Sequence, residues 1–118
     1  MSFVSGYQGQ FNPFQSVSIG NAATDSSAIA TGGMALCGVL LPAAFTGVAL
    51  SFLVSDAIDG TYVPLKSGIA GTLLTYTVAQ GTFAAIDPKD FQGVQFLKVK
   101  SGSAEGAART LKLALKGF

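Results

Sequence analysis

The residues of this chain that could do acid–base or metal chemistry are few. Six carboxylates (Asp25, Asp56, Asp59, Asp87, Asp90 and Glu105) accompany one cysteine, Cys37, and no histidine. Without histidine the commonest general base and the commonest metal ligand are both missing. The serines therefore have no imidazole to activate them. A paired-carboxylate glycosidase needs two acids facing each other across a cleft, whereas each acid here falls in an expected loop or turn. In such places an Asp side chain ordinarily bonds the backbone that follows it.

Asp56 and Asp59 lack the Asp-x-Asp-x-Asp-Gly density and the bidentate Glu of a dedicated calcium loop, and read as a turn. Gly68, Ile69, Ala70 and Gly71 have neither the following Lys-Ser/Thr nor the helix of a phosphate cradle. Cys37 lies in an apolar run and is expected to be a buried, inert thiol. Being alone, it makes no intrachain disulfide. The expectation is a chain that is no enzyme and needs neither a cofactor nor a metal.

The elements that position these residues are short strands. Around a landmark stretch at 38–65, period-two patterns recur along the chain, and no long amphipathic helix interrupts them. Strands are expected at 27–31, 34–41, 48–55, 62–65, 72–78, 82–86, 94–100 and 109–116. Within 48–55, Leu50, Phe52 and Val54 face one way and Ser51 and Ser55 the other. Leu53 breaks the polar face and is a candidate contact residue. Asp59-Gly60 is a strong turn signal, and Pro64 demotes its strand to a sheet edge. In the last strand Leu111, Leu113 and Leu115 point inward, with Lys112 and Lys116 outward. The expected fold is all-β, an antiparallel β-sandwich of jelly-roll type with an extended N-terminal arm.

That arm is residues 1–20, and the sandwich domain is residues 21–118. The arm is uncharged and carries Phe3, Tyr7, Phe11 and Phe14 between Gly, Gln, Ser and Asn-Pro. Gly6, Gly9 and Pro13 argue against a helix. The four rings read as anchors for a neighbouring subunit, against the alternative of a Gly/Gln-rich tail.

Composition supports assembly. Of 118 residues 49% are hydrophobic and 11% charged, with a mean hydropathy of +0.51. An ordinary soluble domain carries about 25% charge. The surface must then be largely small and apolar, which suits a subunit that meets neighbours over much of its area. A net charge of +1, with no Lys or Arg before Lys66, leaves no footprint for nucleic acid. The uncharged run at 34–54 is broken by Pro42, Thr46, Gly47 and Ser51 and flanked by Asp25 and Asp56, so no membrane span is expected. The N-terminus lacks the basic region and apolar core of a signal peptide, so the chain is expected to be made in a cytoplasm.

Two stretches carry a family likeness. Residues 39–65, VLLPAAFTGVALSFLVSDAIDGTYVPL, and residues 85–102, AIDPKDFQGVQFLKVKSG, resemble a group of small tailed-phage virion proteins. The likeness covers about residues 36–116 and rests on the elements P-x-x-F-T-G, D-G-x-Y and D-P-x-D-F-x-G, which are turn and strand chemistry. It implies a jelly-roll or galactose-binding-like sandwich and a structural role as a capsid decoration (cement) protein. The implied partners are the major capsid protein or other virion subunits, with the chain a homo-oligomer (trimer or dimer) at the head surface. Two alternatives stay open. One is a tail or head-fibre module that recognises a host surface glycan, with Tyr62 and Phe91 near turns but no Trp to stack on sugars. The other is an internal tail component.

Overall fold

Alternation of apolar and polar side chains resolves into short strands that form two antiparallel sheets. The structure, a computed structural model, describes residues 14–66 and 71–116. Among these, the strands are β1 (Phe14–Ile19), β2 (Ile29–Ala30), β3 (Ala35–Leu40), β4 (Ala49–Ser55), β5 (Val63–Pro64), β6 (Tyr76–Thr77), β7 (Phe83–Ala85), β8 (Phe96–Ser101) and β9 (Arg109–Lys116). One sheet has the order β1-β9-β3-β7; the other has the order β2-β8-β4-β5, with β6 also paired to β4. Apart from β4, β5 and β6, which share a sheet, successive strands cross from sheet to sheet, so each sheet mixes early and late parts of the chain. This is the strand order of a jelly roll, and the chain is an antiparallel β-sandwich.

Every expected strand is present, several of them shorter than expected. The 72–78 strand contracts to Tyr76–Thr77, with Leu73 bridged separately to Lys66. Pro64 sits in the edge strand β5, where its missing N–H breaks no interior ladder. Asp87 accepts from the Lys89 amide at 3.0 Å and caps a short 3-10 turn, Pro88–Phe91.

One boundary differs. Residues 14–19, read as part of the arm, form β1 and pair with β9 from Phe14↔Ala114 to Ile19↔Arg109. Val17 and Ile19 are fully buried, so this segment belongs to the sandwich. The sequence offered only two buried apolar side chains in β1, among Ser and Gln, which is too faint an alternation to stand out.

The core lies between the sheets. Leu36 and Val39 from β3 meet Leu111, Leu113 and Leu115 from β9, with Leu50, Phe52, Leu97 and Val99 opposite. Leu36 and Val39 are an odd number of residues apart, yet both face inward because a bulge at Cys37 shifts the register between Leu36 and Gly38. Phe52 is the aromatic centre. It meets Phe91 edge-on with centroids 5.0 Å apart, and Tyr76 at 6.0 Å. Cys37 is half-buried, not fully buried as expected, and its thiol donates to the Ala114 carbonyl at 3.4 Å.

Candidate functional site

The outer face of the four-stranded sheet follows from its register. Leu111, Leu113 and Leu115 face the core, so their neighbours on β9 face out. Two rows then cross the sheet on its outer side. One is Phe14, Ala114, Gly38 and Ala85; the next is Ser16, Lys112, Leu40 and Phe83. Lys112 is the only charge in either row. Leu40 is 37% exposed and Phe83 50%, which makes this an apolar surface broken by one ammonium group.

Gly38 shapes this face. The Phe83 ring lies directly over it, and a β-carbon at position 38 would overlap the ring atoms. Glycine therefore lets the end of the ring approach the strand backbone closely. Gly38→Ala is expected to lift the ring and cost about 1–3 kcal/mol through overpacking. With Phe83→Ala already in place, the same change should cost far less. A double-mutant cycle by urea denaturation checks this, and additive effects would show that the ring does not rest on Gly38.

The residues proposed from sequence for partner contact are placed unevenly. Phe14 lies on this face, in β1. Phe3, Tyr7 and Phe11 lie outside the described residues. Leu53 points to the outer side of the other sheet and is 9% exposed. Its cross-strand neighbours are Lys98 and Pro64. Lys98 places its ammonium 4.6 Å from the Tyr62 ring centroid, and the Tyr62 hydroxyl donates to the Ile58 carbonyl. Burial, then the negative charge of Asp59, pushes the Tyr62 phenol up, which keeps it a neutral donor. The hairpin after β4 thus folds back beside Leu53 and covers most of it. Leu40 and Phe83 were missed from sequence. Glycine inside the apolar run at 34–41 was the available signal, because it marks a close approach of another group.

Two further places have chemistry. An open groove of about 510 Å³ is lined by Val54, Val63 and Val94, with Asp56, Thr61 and Gln95 offering polar groups. The other is a buried carboxylate. Glu105 is 1% exposed, and its Oε1 accepts from the Thr46 amide and Arg109 Nε, each at 3.0 Å. Its Oε2 accepts from the Gly47 amide and the Thr46 hydroxyl, again at 3.0 Å. Burial pushes this carboxyl up, yet the bonds from Thr46, Arg109 and Gly47 outweigh it and hold it below its ordinary value. Its own backbone pairs with Ala22 and Ala23. Glu105 therefore ties three loops together at one end of the sandwich. With every oxygen engaged it is a structural clamp, where the sequence suggested only a loop acid.

The remaining acids are scattered. Asp25 forms an exposed ion pair with Lys100 at 3.5 Å, and among the described residues no three of His, Cys, Asp and Glu gather as an ion-binding group. Among the described residues, no helix is long and apolar enough to cross a membrane.

No family model, curated protein or solved structure matches the chain. What it can do must be argued from its own surfaces.

Proposed function

We propose that this chain is a structural subunit of a tailed-phage virion, a capsid decoration protein that binds and stabilises the head shell. The observation that carries the reading is the apolar outer face that exposes Leu40, Phe83 and Ala85. Such a face is buried in an assembly, where each ~100 Å² of apolar surface removed from water is worth about 2.5 kcal/mol before association costs. Contacts of that size, repeated over a shell, oppose internal pressure together. Support from fold is by analogy only, since jelly rolls serve in viral capsids and also in lectins. Support from sequence is the resemblance at residues 39–65 and 85–102.

The test is the copy number of this chain in purified phage particles, by quantitative mass spectrometry against the major shell protein. Hundreds of copies in near-integer ratio to the shell are the expected result. A count of a few copies moves the chain to a tail or fibre, and absence from the particle overturns the reading.

The groove favours a second reading, the host-glycan module. Its valine floor and its carboxylate, hydroxyl and amide groups are of the kind that hold a sugar. Glycan-array binding that is lost in Asp56→Ala and Gln95→Ala, at low copy number, would support it over decoration.

A further inference from the structure

We propose that residues 1–13 of one copy lie across the outer face of the four-stranded sheet of a second copy, which links subunits by exchanged arms. This deepens the reading of that face as an assembly surface, by naming what covers it. The 13 residues before β1 carry no charge, and their large side chains are Phe3, Val4, Tyr7 and Phe11. The face offers the Phe83 ring, its end seated against Gly38, with Leu40 and Ala85 beside it. Its two ammonium groups, Lys112 and Lys116 on β9, suit aromatic rings and would repel a basic segment.

Reach allows the contact. Thirteen residues extend roughly 43 Å at most, while four strands span about 14 Å. The chain enters the sheet at Phe14, whose own cross-strand row continues through Ala114 and Gly38. The sequence places Pro13 directly before β1, and a residue that precedes proline disfavours helical backbone. That favours an arm leaving along the line of β1, toward a neighbour, over one that reverses onto its own sheet. Arms exchanged in both directions close a dimer, and arms passed in one sense close a ring.

The experiment uses the full chain and a deletion limited to residues 2–12, because residues 14–19 form β1. Analytical ultracentrifugation should show an oligomer for the full chain and a monomer for the deletion, with unchanged far-UV circular dichroism. Leu40→Asp should also give a folded monomer. In a Cys37→Ser background, oxidising a mixture of Tyr7→Cys and Phe83→Cys chains should yield a crosslink between the two. Monomeric full chain overturns the proposal, and so does an oligomer that survives the deletion. An intrachain disulfide in a monomeric Tyr7→Cys/Phe83→Cys chain overturns it as well. All these readouts are in solution, so they stand or fall separately from the particle copy number.

Discussion

Replacing Glu105 with alanine is expected to lower stability by about 3–5 kcal/mol, the usual cost of breaking a buried ion pair from one side. The truncation leaves the Thr46 and Gly47 amides without their acceptor and Arg109 without its carboxylate. Each unmet buried donor is costly on its own. Arg109 keeps 16% side-chain exposure and can turn toward water, which softens its share of the loss. A side chain at position 47 could not fill the gap, because a β-carbon there would meet Ser101 and the Phe45 ring. Glu105→Gln keeps the shape but presents an amide donor to groups that are all donors, and should lose about half as much. Urea denaturation monitored by far-UV circular dichroism measures both, and a loss under 1 kcal/mol for Glu105→Ala would mean the three loops do not depend on this clamp.

The same clamp sets an acid limit. The folded state holds the Glu105 carboxyl below its ordinary value, so folding favours the ionised form. Its stabilisation is complete above the unfolded-state pKa of about 4.3 and is lost as pH falls through the lower folded value. The wild-type chain should therefore lose stability steeply below about pH 4. Glu105→Gln, lacking that proton linkage, should show a flatter profile over the same window.

Phe52→Ala should be comparably severe, at about 3–5 kcal/mol. The side chain is fully buried and stands between Phe91 and Tyr76, both edge-on to it. Its removal opens a cavity and cancels two aromatic contacts, each worth about 0.5–1.5 kcal/mol beyond area. Phe52→Leu fills most of the space and should cost roughly 1–2 kcal/mol. With no Trp in the chain, near-UV circular dichroism reports the tyrosines, and the Tyr76 component should weaken in Phe52→Ala. Additive losses in a Phe52→Ala/Phe91→Ala cycle would show that the two rings are not coupled.

How much of this was legible in the sequence depends on the range of the forces involved. The strands through Leu50 and Phe52, Leu97 and Val99, and Leu111 to Leu115 announce themselves, because alternation is a local property and tertiary packing only confirms it. Pro64 at an edge and Asp87 in a capped turn follow from single-residue chemistry. The β1 strand did not declare itself, since its pairing with β9 is set by a segment at the other end of the chain. Leu53 was legible in part. Its pattern places it on the outer side, but the hairpin carrying Tyr62 folds back toward its neighbour Lys98. Glu105 was the least legible: a carboxylate in a Gly- and Ala-rich loop looks solvated until Thr46 and Gly47 arrive from far away in sequence. The Leu40–Phe83 face needed the register itself.

The pairing of Phe14 with Ala114 also governs when this molecule can fold. During synthesis β1 emerges well before β9, the strand it pairs with. On the other side of β9, β3 waits for the same partner. Until β9 has emerged both lack that neighbour, so the four-stranded sheet closes late, by long-range contacts of the kind that fold over milliseconds to seconds. A chain cut short before β9 loses the strand that joins β1 to β3. Such a chain therefore lacks the outer face that carries Leu40 and Phe83 in a paired sheet.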